Sequence, residues 1–212
     1  MKNYDLLVDT LIEQGHLTDP VIIEAFRTTP RKPFLKETYK KLEGLNAPLP
    51  IGDEQTISQP ATVAFMLHLL QPKPGNKVLE IGYGSGWQTA ILARIMYQKN
   101  RPGEIVAYEI NKEIAAFGKK NLNQFLPNNL SRYIHLYPED YATSSQNHAP
   151  YDKIIAAAAF EETPVNLIQQ LIIGGMIVYP TKVNDIRKIT KETNETYTED
   201  IFPGFVFVPI TH

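Results

Sequence analysis

The sequence predicts an α/β protein with a doubly wound, mostly parallel sheet, and three observations carry that expectation. From Lys77 onward, short apolar runs alternate with stretches of helical periodicity. The run V-L-E-I-G-Y-G-S-G at 78–86 leads from an apolar strand into glycines at alternate positions. The chain has 212 residues, 43% of them hydrophobic, which suits one domain with a substantial core.

The amino-terminal part reads as helical. Asn3 to Gln14 carries Leu6, Leu7, Thr10 and Leu11 on one face, and Gly15 stops it. Asp19 before Pro20 is a cap with proline at the first helical position, opening a helix that ends before Pro30. Residues 30–52 have little periodicity and several prolines, and read as an irregular arm. Pro60 opens a further helix, with Val63, Met66, Leu67 and Leu70 on one buried stripe.

Strands are expected at Lys77–Ile81, Glu104–Glu109, Tyr133–Tyr137, Tyr151–Ala157 and Met176–Pro180, with helices near 88–98, 112–125 and 164–172. Such alternation implies parallel strands with helices on both faces. The polar segments Ile186–Glu192 and Phe205–Ile210, joined around Asn194–Glu195, predict an antiparallel pair at one sheet edge. The organisation expected is one domain over 1–212. It comprises an amino-terminal helical and substrate-side region (1–76), a cofactor-binding core (77–180) and a carboxyl-terminal hairpin (181–212).

Composition excludes several chemistries. With no cysteine there is no thiolate metal site, disulfide or cysteine nucleophile. The five histidines are scattered without metal-ligand spacing, so no metal is expected. A formal charge of −2 and a pI near 6.2 give no support to nonspecific nucleic-acid binding. The early acid at Asp5 and the lack of a long apolar run predict no signal peptide and no membrane span. A soluble, cytoplasmic monomer is expected.

The glycine run is where chemistry is first legible. A buried strand ending in a glycine turn lets a ligand approach the backbone, and Ser85 with Gln88 has the spacing of a capping box for the next helix. Trp87 interrupts the dinucleotide fingerprint. E-x-G-x-G-x-G is the usual form in enzymes that use S-adenosylmethionine, which makes Glu80, Gly82, Gly84, Ser85 and Gly86 candidate cofactor residues; a purely structural glycine turn is the other reading. Glu109, ending the second strand, is placed to accept bonds from both hydroxyls of a ribose. Glu80 lies inside a strand, where a carboxylate needs donors. Asp140, after the third strand, suits an adenine amino group or an ordinary turn.

The segment P-L-P-I-G-D-E-Q-T-I-S-Q-P at 48–60 is rich in hydroxyls and amides. Capping of the helix begun by Pro60, through Ser58 or Gln59, explains one of these polar residues but not five in succession. With P-R-K-P-F-L upstream, the segment resembles the protein-L-isoaspartate (D-aspartate) O-methyltransferases, which have a T-I-S-x-P segment ahead of the cofactor loop. The likeness continues through the glycine run, A-P-Y-D-K-I-I, P-V-N-L-I-Q-Q-L-I-I-G-G-M-I-V-Y-P and F-V-P-I.

The resemblance implies a Rossmann-like, class I S-adenosylmethionine-dependent methyltransferase. It implies methylation of the free carboxylate of L-isoaspartyl residues in damaged proteins and peptides, the ester then collapsing toward succinimide. It assigns Ser58 to orienting the attacking carboxylate, with Thr56 and Gln55 shaping the same site, and strengthens the cofactor reading of Asp140. The family's G-D-G falls on Glu139-Asp140-Tyr141, and its acidic residue before P-L-P is replaced by Leu45-Asn46-Ala47. Ala-Ala-Phe after the fourth strand, Pro180-Thr181-Lys182 and Val206 also depart from the pattern. A methyltransferase acting on another peptide carboxylate and a catalytically silent cofactor-binding module fit the same scaffold.

Overall fold

A computed structural model describes residues 3–98 and 100–210. The chain opens with helices α1 (Tyr4–Glu13) and α2 (Pro20–Arg27). The Asn3 side chain accepts the Leu6 amide, and Asp19 accepts those of Val21 and Ile22, so both helices start on a side-chain cap. The arm is not wholly irregular. It makes 3-10 turns at Lys32–Phe34 and Glu37–Leu42, then strand β1 (Leu49–Gly52), which pairs antiparallel with β2 (Gln55–Ile57). Strands this short, one of them interrupted by Pro50, carry no readable alternation.

Helix α3 (Pro60–Leu70) follows, capped otherwise than expected: Gln59 makes no side-chain cap, and Asn46 Oδ1 from the arm accepts the Ala61 amide at 3.0 Å. The alternating core comprises β3 (Lys77–Ile81), α4 (Trp87–Met96), β4 (Glu104–Tyr108), α5 (Lys112–Phe125), α6 (Asn128–Ser131), β5 (Ile134–Tyr137), α7 (Tyr141–Ser144), β6 (Tyr151–Ala156), α8 (Val165–Gln169) and β7 (Leu171–Pro180). The edge is β8 (Asp185–Lys191) and β9 (Tyr197–Pro203).

The seven-stranded sheet runs β5-β4-β3-β6-β7-β8-β9, parallel from β5 to β7 and antiparallel beyond. The chain winds outward from β3 to β5, then returns to β6 on the other side of β3. That reversal leaves a crevice beyond the carboxyl ends of β3 and β6. Period-two alternation sorts the core into two layers. Val78, Ile105, Ala107 and Ile155 pack with α1–α5, whereas Leu79, Ile81, Val106 and Ile154 pack with Tyr141, Phe160 and Leu167.

Two expectations at the carboxyl-terminal end need correction. Strand β7 begins at Leu171 rather than Met176, its pairing with β6 shifting between Tyr151 and Lys153. The turn near Asn194 is as expected, but its second strand is β9, with Lys191 opposite Tyr197, and not 205–210. Its residues Y-T-E-D-I-F-P are nearly all exposed, so no apolar alternation marks it. The apolar run F-V-F-V-P-I instead crosses back over the sheet. Ala159 N–H donates to Val208 O and Ile210 N–H to Ala159 O, and Phe205 stacks on Phe65 at 5.0 Å.

Candidate active site

The crevice opens into a cavity of about 910 Å³. Its walls come from 48–59, the glycine loop, Tyr108 to Asn111, Glu139 to Tyr141, Ala157 and Ala158, and Val206 to Ile210. Of the residues singled out from sequence, Gln55, Thr56, Ser58, Gly82, Gly84, Ser85, Glu109 and Asp140 border this one space; Glu80 and Gly86 do not.

Backbone bonds shape the loop. The amides of Gly82 and Tyr83 both donate to Tyr108 O, and Gly86 N–H closes a turn on Tyr83 O at 2.8 Å. Gly82 and Gly84 have positive φ (78° and 51°). A Cβ on either would first meet protein at 3.8 Å (Ala157 Cβ) or 3.6 Å (Ile51 Cδ1), and would stand in the cavity. The bare backbone therefore leaves room for a ligand to lie against it. Gly86 serves packing: a Cβ there would lie 2.7 Å from Leu122 Cγ on α5.

Glu109 faces the loop. It is buried, its Oε2 accepts Gly84 N–H at 3.1 Å and its Oε1 accepts Asn111 N–H at 3.0 Å. Burial raises its pKa, opposed by these backbone donors. Each oxygen keeps a second lone pair, so the carboxylate can still accept a diol.

Glu80 is fully buried; Gln88 Nε2 donates to its Oε1 at 3.0 Å, and Oε2 has no hydrogen-bond partner. Burial pushes its carboxyl up to about 7, against the Thr89 and Gln88 side chains beside it. The expected capping box therefore does not form. Gln88 is taken by Glu80, and the Ser85 hydroxyl makes only a 3.4 Å contact with Trp87 N–H. Turned toward Glu80, the Gln88 side chain does not reach back to the Ser85 amide as a capping box requires.

Asp140 caps α7, its Oδ1 accepting Ala142 N–H at 2.9 Å. Beside it Ser144 Oγ donates to Glu139 Oε1 at 2.5 Å, so the 2.9 Å link from Tyr108 to Ser144 has the phenol as donor. Two residues in place of the expected glycines thus form part of this wall, with Glu139 and Tyr141 both lining the cavity.

Sequence reasoning missed one residue that organises the opposite wall. Arg31 is fully buried. Its Nη1 donates to Leu45 O (3.0 Å), and its Nη2 to Ala47 O (2.9 Å), Ile57 O (3.2 Å) and Ser58 O (2.8 Å). Burial lowers its pKa to about 10, which leaves it charged at neutral pH. Its place in P-R-K-P-F-L was the only signal, and nothing local in a sequence says that an arginine is buried.

The cavity is acidic and amide-lined at the loop end and rich in hydroxyl and amide groups at the hairpin end. A parallel sheet whose strand order reverses beside a glycine loop, with a carboxylate ending the next strand, is the Rossmann-like arrangement that class I methyltransferases have. The family model described as protein-L-isoaspartate (D-aspartate) O-methyltransferase matches residues 2–212, and the chain belongs to that family. It is 39% identical over 176 residues to the protein-L-isoaspartate O-methyltransferase of Staphylothermus marinus, covering 82% of this chain and 77% of the relative. The Flavobacterium psychrophilum enzyme of that name is 37% identical over 203 residues, covering 95% and 91%. A Plasmodium falciparum beta-aspartate methyltransferase structure in complex with S-adenosyl-L-homocysteine superposes with a TM-score of 0.90 over 100% of this chain and 99% of that one. At 22% identity it speaks for the fold.

Proposed function

We propose that this enzyme methylates the free carboxylate of L-isoaspartyl residues in damaged proteins and peptides, with S-adenosyl-L-methionine as methyl donor. One observation carries the reading: the T-I-S segment and the glycine loop border a single cavity in a chain of this family. Bound S-adenosylmethionine supplies a methyl group made electrophilic by its sulfonium.

The residues present fit that cofactor. Gly82, Gly84 and Ser85 give its amino acid part bare backbone, Glu109 takes the ribose hydroxyls and Asp140 the adenine amino group. Glu80 and Gly86 act from outside the cavity, by bracing α4 through Gln88 and by letting the loop pack on α5.

The acceptor carboxylate is already ionised near neutral pH, so the site needs no general base. What the chain must do is align the acceptor and exclude water. Ser58 donates a hydrogen bond to the acceptor carboxylate without removing a proton, Thr56 and Gln55 shape the space around it, and 206–210 covers the remaining side. The finer setting we propose is a cytoplasmic monomer acting without nucleic acid, the last point supported by the net charge of −2. Among the described residues no helix is long and apolar enough to cross a membrane.

Transfer of labelled methyl to an isoaspartyl peptide and not to its aspartyl counterpart is the expected result. Transfer to neither, with cofactor bound, would remove the isoaspartyl assignment.

A further inference from the structure

Arg31 is the residue that the mechanism above does not use and that the fold treats least economically. A fully buried guanidinium carries a large desolvation cost, normally offset by a carboxylate. None of its hydrogen-bond partners is an acid: all four bonds go to backbone carbonyls. Two of those carbonyls belong to the arm (Leu45, Ala47) and two to the T-I-S segment (Ile57, Ser58). One side chain thus ties together stretches 14 to 27 residues away from it. The guanidinium also lies 5.5 Å from the ring centroid of Trp87, the first residue of α4 after the glycine loop. The Trp87 indole donates in turn to Thr29 O at 3.0 Å, two residues before Arg31. The hub joins the wall that holds Ser58 to the helix that carries the cofactor loop.

The direction of these bonds matters for an anionic acceptor. Peptide units are planar, and here those of Ile57 and Ser58 are trans. With both carbonyls held toward Arg31, the amides of Ser58 and Gln59 are turned the opposite way. A Ser58 carbonyl freed from Arg31 could rotate, presenting its negative end to the incoming carboxylate in place of a donor. Repulsion of that kind would misplace the acceptor even with the Ser58 hydroxyl intact.

We propose that Arg31 is the positioning residue of the acceptor side: by holding the carbonyls of Ile57 and Ser58 it fixes the direction from which Ser58 meets the substrate carboxylate. The proposal rests on the reading of Ser58 given above. Lysine preserves the charge at position 31 but not the fork that spans both segments, and glutamine preserves a fork of one amide without the charge.

The test compares the unsubstituted enzyme, Arg31→Lys, Arg31→Gln, Ser58→Ala and the Arg31→Lys/Ser58→Ala double variant. Each is assayed for initial rates with an isoaspartyl peptide and for S-adenosylhomocysteine affinity by calorimetry, whose stoichiometry also counts folded sites. Arg31→Lys and Arg31→Gln should each lower kcat by about 10- to 100-fold, the scale of a misaligned reactant. S-adenosylhomocysteine affinity should stay within about twofold. Because both residues act through one bond, Arg31→Lys should cost no more than about threefold further in the Ser58→Ala background.

Unchanged peptide kinetics in both Arg31 variants overturns the proposal, and so do effects of Arg31→Lys and Ser58→Ala that simply multiply. Loss of folding or of cofactor binding in both Arg31 variants also overturns it, making Arg31 a folding residue. Failure of the underlying reading looks different: the unsubstituted enzyme would then transfer nothing to the isoaspartyl peptide, or Ser58→Ala would match it.

Discussion

At the scale of single residues, two buried glutamates near the same glycine loop have opposite duties. Glu109 keeps lone pairs open to the cavity while both its oxygens accept loop amides. Glu109→Gln replaces one acceptor oxygen with a donor group and should weaken S-adenosylhomocysteine binding about tenfold, the worth of one charge-assisted bond. Calorimetry at neutral pH reads this directly, and unaltered affinity would remove the ribose assignment. Glu80 is a matter of stability. Its ordinary value is 4.5, and burial raises it to about 7 in the folded chain. Between those values the folded state holds the extra proton, so its contribution to stability is lost as pH rises through that window and is constant above it. The Glu80→Gln variant carries no such proton. Its melting temperature minus that of the unsubstituted protein should therefore climb from pH 4.5 to 7 and then level. A difference flat across that range would show that Glu80 does not titrate there.

At the scale of elements, the β1–β2 hairpin is the piece the sequence concealed. Its two-residue turn puts Asp53 and Glu54 at φ 46° and 58°, where only glycine and a few polar residues sit without cost. Glu54→Gly should raise the melting temperature and Glu54→Val lower it, each by about 1–3 °C. Thermal melts giving the reverse order would contradict the turn. The contrast with the core is instructive. Strands β3, β4 and β6 are covered on both faces, so their apolar runs were legible, and α5 matched residue for residue because Asn111 caps it. Contacts made with distant partners left no local trace. The hairpin leans on Arg31, α3 takes its cap from Asn46, and Gln88 turns from its helix to Glu80. The exposed β9 gave no alternation, while the apolar 205–210 run suggested a strand that it does not form. The loop side of the cavity was legible for the same reason as the core: Gly82, Gly84, Glu109 and Asp140, which border it, occupy fixed places in the parallel unit. The 55–58 side, by contrast, was legible through the resemblance. That Glu139, at an expected glycine, is bonded to Ser144 and through it to Tyr108 could be found only in three dimensions.

At the scale of the whole molecule, the cavity wall is assembled from stretches far apart in the chain. Residues 48–59 and 206–210 line the same cavity although about 150 positions separate them. The sheet between them is continuous, and its order places the reversal point under this closure. A small molecule filling that space would act as a staple across the ring so formed. Chymotrypsin cleavage after Phe205 or Phe207 and cleavage within the arm after Tyr39 should consequently slow together when S-adenosylhomocysteine is added, with the same concentration dependence. Protection of one end alone would mean that the clasp has only one jaw.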